Sequence, residues 1–441
     1  MVATVAVSAA VAVAAAVAVA DPQPTAPVVI ERTDLASGLT VVTEEVPGAR
    51  SASFGCWVRV GGRDEVDALA GASHFLEHLL FKGTATQTGR EISEAIEAVG
   101  GELNAHTAHE HTAFYARVPA AAASVGLDLL ADVVTSPTFD ADDVESERQV
   151  ILEELHLAED EGDDRVLSLA HEALWGDHPL GREVLGSLAS IDAMDHETIH
   201  GFFERHYHPQ NLVLVAAGAV DHALVVAAGE RVADRPAGER PPRVAPAGGP
   251  PVQSHALLRR PLEQAHVAVV WPGLAVDDPD RYALSVCNQI LGGGLSSRLF
   301  QEIREERGLA YSVFSSVAAY SDAGSVVAYA GTSPERVGEV RKLILEAAAE
   351  LAADGVTDRE WEVAGGYLEG ASLLGLEDSG SVMARLGNHV CAKGEVTPLE
   401  DQLAKLRAVT PDDVHCVARR LLAGEPAVCG VGPLTDHDLG A

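Results

Sequence analysis

Residues 72–84 read ASHFLEHLLFKGT, an apolar run broken by two histidines and a glutamate. The apolar spacing predicts a helix over 71–82. On that helix His74 and His78 stand at i and i+4, on one face and one turn apart, so both imidazoles can reach a single cation. Glu77 shares their side and is placed to take a proton from a metal-bound water rather than to add a ligand. Catalytic zinc takes three protein ligands and keeps its fourth position for water, so a third donor must come from elsewhere. A charged helix predicted over 140–160 offers Glu145, Glu147, Glu153 and Glu154. Glu147 and Glu154 are seven apart and fall within about 20° of one face, so one could ligate while the other orients the site from behind.

Outward from this motif the chain alternates strand-like and helix-like blocks. Residues 38–46 and 51–60 read as strands, 90–99 as a helix stopped by Gly100-Gly101, 102–118 as strand-like, 120–135 and 140–160 as helices, and 212–220 as a Val-rich strand. Proline and glycine then crowd residues 234–251, the composition of a linker. Beyond it the pattern restarts, with strands at 265–271, 311–319, 325–330 and 427–432, a helix from Arg281, and helices between 334 and 422. Similar element order in two halves suggests a duplication. The expected fold class is therefore α+β: two related domains, each a mixed, mainly antiparallel sheet covered by helices. The expected boundaries are 28–233 for the metal-binding domain, 234–254 for the linker, 255–432 for the second domain and 433–441 for a tail.

Composition narrows the functional classes. The 441 residues carry a formal net charge of −35, which repels phosphate backbones and anionic membranes, so neither nucleic acid nor a membrane is an expected partner. With 47% hydrophobic against 22% charged residues, the chain can bury substantial cores. Five scattered cysteines fit neither a disulfide framework nor a thiolate metal site and read as reduced thiols. Residues 2–20 are nearly all Ala and Val, and Ala18-Val19-Ala20 resembles a signal-peptidase site, but no basic residue precedes the run. Residues 1–27 are read as an extension of a cytoplasmic protein, with export through a weak signal as the alternative.

Taken with ERQVILEE at 147–154, the 72–84 stretch strongly resembles the inverted-zincin HxxEH metallopeptidases of the pitrilysin family, especially the short-chain branch that includes mitochondrial processing peptidase. That pattern is completed by a Glu about 76 positions after the second His, and 154 − 78 = 76 falls on Glu154 rather than Glu153. HPLGREVLGS at 178–187, HYHPQNLVLVAAG at 206–218 and LGGGLSSRLFQEIREERGLAYSV at 291–313 match in family order. The resemblance implies a zinc metalloendopeptidase with one Zn2+ per chain held by His74, His78 and Glu154, Glu77 as general base and Glu147 behind the ligands. It further implies Arg304 and Tyr311 as contacts to substrate and developing oxyanion, and Asn104 on a substrate-pairing edge strand near the scissile bond. Substrates would be peptides or unfolded segments admitted to a closed chamber. Because the Arg-Tyr pair comes from another half of the molecule in such peptidases, a homodimer, or a heterodimer with a paralogue, is expected. The rival implied by the same resemblance is a non-catalytic partner subunit.

Two further motifs compete for attention. Gly292-Gly293-Gly294 lacks the GK[ST] of a phosphate loop, and is read either as a chamber loop or as a helix interruption. The run NAHTAHEHT at 104–112 holds three histidines; on a continuous strand His109 and His111 would share one face and His106 the other, so the three would not converge.

Overall fold

The computed structural model describes residues 29–440, so the expectations for residues 1–27 and for Ala441 lie outside it. Six strands make the first sheet: β1 (Ile30–Asp34), β2 (Thr40–Glu45), β3 (Ser51–Val58), β4 (Glu102–Thr107), β5 (Thr112–Pro119) and β6 (Leu212–Gly218), in the order β1-β2-β6-β3-β5-β4. Five make the second: β7 (His255–Arg259), β8 (Ala265–Pro272), β9 (Ala310–Ala319), β10 (Gly324–Thr332) and β11 (Ala427–Gly432), in the order β7-β11-β8-β10-β9. Strand for strand, β7 to β11 repeat β2 to β6. In the first sheet β2 pairs parallel with β6 and in the second β7 pairs parallel with β11, while all other neighbours run antiparallel, β1 with β2 included. The fold is thus α+β with two related mixed sheets.

Helices α1 (Ala72–Leu79), α2 (Gly89–Ala98), α3 (Ala123–Thr135) and α4 (Ala141–Asp160) follow in the first half. They cover one face of the first sheet, packing Phe75, Leu76, Leu130 and Ile151 with Phe54, Phe114 and Leu214. The other face is closed by a helix from the far end of the chain. Ser379–Lys393 lays Val382, Met383, Leu386 and Val390 on Val42, Trp57, Val213 and Val215. The second sheet is treated reciprocally: α5 (Gly162–Trp175) leaves the first half and packs Val166, Ala170 and Leu174 against Val270, Val327 and Tyr329. Each half therefore lends one helix to the other's sheet. Central strands buried on both faces read as continuous apolar runs, which is why β6, β8 and β10 carry so few polar residues. No helix among the described residues is long and apolar enough to cross a membrane.

The strand-like run 102–118 is two strands rather than one. The chain reverses at residues 108–111, where the Ala108 N–H donates to the His111 carbonyl at 2.8 Å, and β4 pairs antiparallel with β5. That turn overturns the expected placement of the histidines. His106 and His111 face each other edge-on with ring centroids 5.5 Å apart, while His109 turns away to the Arg182 carbonyl and Tyr320.

Candidate metal centre

Helix α1 begins at Gly71, whose φ of 91° is left-handed and whose missing Cβ leaves room for the Leu185 carbonyl and Gly186. Its free N-terminal amides are met by Glu65, which accepts from the Gly71 and Ser73 N–H groups at 2.7 Å each. A buried carboxylate there satisfies two orphan donors and opposes the positive end of the helix dipole, fixing the start of the helix that carries the motif. Phe75, Leu76 and Leu79 are buried on the core side. His74 and His78 come out together on another face, rings 4.7 Å apart between centroids.

Opposite them lies α4. His74 Nε2 and His78 Nε2 are 3.3 Å apart, and Glu154 Oε2 stands 3.6 and 3.5 Å from them respectively. Donors about 2.1 Å from a tetrahedral zinc lie roughly 3.4 Å from one another, so these three atoms fit three corners of such a site. It is the one group of three or more potential metal-donating side chains among the described residues. Burial and the neighbouring His78 push the His74 imidazole down to about 4, so it is neutral at pH 7, the form a metal ligand needs. Glu153, the alternative in sequence, is not in this group.

Glu147 sits one step behind. It is 5% exposed, receives the His78 Nδ1 hydrogen bond at 3.0 Å and is ion-paired with Lys82. A carboxylate on the distal ring nitrogen sets the tautomer in which Nε2 carries its lone pair toward the cation. His74 Nδ1, by contrast, is buried with no partner among the described residues. Glu77 accepts a 2.6 Å hydrogen bond from the Thr107 hydroxyl at the end of β4. Burial pushes its carboxyl above the ordinary range, against the pull of Thr107 and His78 and with help from Glu154.

Asn104 is exposed on β4, the edge strand of the first sheet, with its side-chain oxygen turned to the Ala105 N–H at 2.8 Å. Arg304 and Tyr311 stand together in the second domain. The Arg304 guanidinium lies 4.7 Å from the Phe300 ring and 4.9 Å from the Tyr311 ring, and Tyr311 is 81% exposed. Both border a cavity of about 580 Å³ that also touches Gln264, Thr332 and Arg336. Arg304, on the helical segment Phe300–Glu306, and Tyr311, on the edge strand β9, therefore form a cation–π pair in the second domain, and none of His74, His78 and Glu154 borders that cavity. Gly292 packs against β9, where a Cβ would meet the Ser315 amide.

Two residues of the site carry no signal in the sequence: Glu65 under the helix and Lys82 on Glu147. A third, Thr107 on Glu77, lies in the NAHT run, where nothing but its place beside the histidines distinguishes it.

Two duplicated sheets carrying an HxxEH helix, with a distal Glu on a second helix, define a chain built like the two-domain metallopeptidases. Residues 40–188 match the family model described as insulinase (peptidase family M16), and residues 193–364 that described as peptidase M16 inactive domain. An uncharacterized zinc protease of Streptomyces coelicolor is 44% identical over 414 residues, covering 92% of this chain and 90% of that one. Uncharacterized zinc proteases of Mycobacterium leprae and Bacillus subtilis are 45% and 34% identical, over 91% and 92% of this chain and 91% and 98% of theirs. Two solved structures share the fold. A peptidase M16 inactive domain from Pseudomonas fluorescens has a TM-score of 0.86 at 24% identity, covering 92% of this chain and 98% of that one. A protease from Helicobacter pylori has a TM-score of 0.85 at 22% identity, covering 92% and 100%. The chain belongs to peptidase family M16.

Proposed function

We propose that this protein is a zinc metalloendopeptidase that cleaves peptides or unfolded segments, with His74, His78 and Glu154 as ligands and Glu77 as general base. The observation that carries this reading is the convergence of three donor atoms within 3.3–3.6 Å beside a carboxylate that has no ligand role. When bound, zinc supplies Lewis acidity that polarises a peptide carbonyl and makes a water acidic near neutral pH. The chain's own residues do the rest. Glu77 takes a proton from the attacking water and can return it to the leaving amine; Thr107 holds one of its oxygens in place. Glu147 orients His78. Arg304 and Tyr311 offer a guanidinium and a phenol to a carbonyl gaining negative charge, and β4 offers an edge for an extended peptide. We further propose that two copies close over one chamber, or that this chain closes with a paralogue.

A non-catalytic subunit of the same fold has no chemical need for Glu77, so the intact set His74, Glu77, His78 and Glu154 favours the enzyme. The deciding experiment is hydrolysis of quenched fluorescent peptides by the zinc-loaded protein. Chelation should abolish cleavage and added zinc restore it. Glu77→Gln should lower kcat by about 10²-fold or more while retaining zinc. A zinc-loaded preparation that cleaves nothing, alone or with other subunits of its source, would sink the reading.

A further inference from the structure

The turn between β4 and β5 is held by a buried ionic knot that the chemistry above does not use. Glu110, at its tip, puts both carboxylate oxygens into the knot. Oε1 accepts from Arg63 Nη1 and from the Ser321 hydroxyl, each at 2.6 Å, and Oε2 accepts from the Ser321 N–H at 2.9 Å. Arg243, from the linker, stands 3.2 Å from Oε1, donates to the Glu110 carbonyl at 2.7 Å and grips Asp64 through two bonds of 2.8 and 2.7 Å. Arg63, whose side chain is 1% exposed, also donates to Asp322 at 2.7 Å and to the Val244 carbonyl at 2.9 Å. Three stretches distant in sequence thus meet on one carboxylate: residues 63–64, the linker and the turn between β9 and β10.

Stability is a poor reason to withdraw four charges, Arg63, Asp64, Glu110 and Arg243, from solvent, because replacing such ions by apolar side chains is often neutral or stabilising. Their geometric effect is more specific. Gly62 and Arg63 donate backbone hydrogen bonds to the Ala108 and His109 carbonyls at 3.2 and 2.8 Å, so the turn is fixed along its length. Three residues before Glu110 the strand ends at Thr107, whose hydroxyl holds Glu77. A shift of the turn therefore moves the group that aims the base, and a misplacement of about 1 Å can cost on the order of 10²-fold in rate.

On the peptidase reading, we propose that Glu110 is a positioning residue for Glu77: the linker and the second domain grip its carboxylate, and through β4 that grip sets Thr107 and the base. The test is a double-variant cycle on the zinc-loaded full chain, with peptide hydrolysis and amide hydrogen exchange as readouts. Glu110→Gln and Thr107→Val should each lower kcat by about tenfold or more with KM within about twofold. The double variant should be no slower than the worse single, since both act on one atom. Thr107→Ser should recover most of the Thr107→Val loss. Amide exchange in β4 should speed several-fold in Glu110→Gln while that in β8 stays unchanged. Losses that multiply, or unaltered exchange in β4, would overturn the proposal. If Glu110→Gln does not fold, Ser321→Ala takes its place, removing one donor and no charge. A wild type that cleaves nothing would sink the peptidase reading alone, and the exchange measurement would still decide whether Glu110 holds β4.

Discussion

At the scale of single residues, the site divides into groups that name themselves and groups that do not. His74, Glu77 and His78 are legible because helical periodicity turns their spacing into a shared face. Glu154 needs the family's spacing to be preferred over Glu153, since both sit on one acidic helix. Glu147 is the case with the clearest consequence. Its carboxylate fixes the His78 ring from behind and is itself fixed by Lys82. Glu147→Gln keeps a hydrogen-bond acceptor but removes the charge that makes His78 a better donor to metal. Zinc affinity should fall about 10- to 100-fold, read by competition with a chromogenic chelator, while the melting temperature of the zinc-saturated protein changes little. An unchanged affinity would reduce Glu147 to a partner for Lys82.

Elements follow a different logic, because their positions depend on partners far away in sequence. Trp57 on β3 is covered by Ser379–Lys393, and it fits only because Gly55 and Gly387 carry no side chain: a Cβ at either would collide with the indole. Alanine in a helix interior normally stabilises relative to glycine by about 1 kcal/mol. At Gly387 the sign should reverse. Gly387→Ala should destabilise by about 1–3 kcal/mol through overpacking, whereas Gly366→Ala, in the helix Asp358–Gly375 with nothing within 4 Å, should stabilise by about 0.5–1 kcal/mol. Urea unfolding of the two variants settles it; equal signs would mean that the Trp57 contact relaxes freely. The same helix marks where sequence reading stops. Apolar runs locate β2, β3, β6, β8, β10 and β11 because burial on both faces writes itself into composition. Strands β1 and β7 escape notice, being five-residue edges with mixed exposure. The turn at 108–111 escapes too, since AHEH has none of the Gly or Asn residues that announce a hairpin. That α5 and Ser379–Lys393 cross to the opposite sheet is a tertiary fact; an amphipathic helix carries no label for the sheet it will cover.

For the whole molecule, duplication poses a question of where the second domain acts. Its strands repeat those of the first, so β9 occupies in the second sheet the edge that β4 occupies in the first. Yet among the described residues the one group of potential metal-donating side chains lies in the first half, and the paired Arg304 and Tyr311 lie in the second. On the peptidase reading, the pair would serve the site of its own chain or that of a second copy. Mixing two inactive variants separates these cases. In a mixed dimer of Glu77→Gln and Arg304→Ala chains, the Arg304→Ala protomer keeps an intact base, and its partner keeps an intact guanidinium. Service in trans restores that one site; service in cis restores neither. After free exchange about half of the dimers are mixed and one site in two is complete, so activity should recover to about a quarter of wild type. The check is peptide hydrolysis after incubation, alongside mass spectrometry that proves subunit exchange. Recovery to that level would make the catalytic unit a pair of chains. Exchange without recovery would place Arg304 in its own chain's reaction or outside the reaction altogether, and Arg304→Ala measured alone, inactive or not, would tell those two apart.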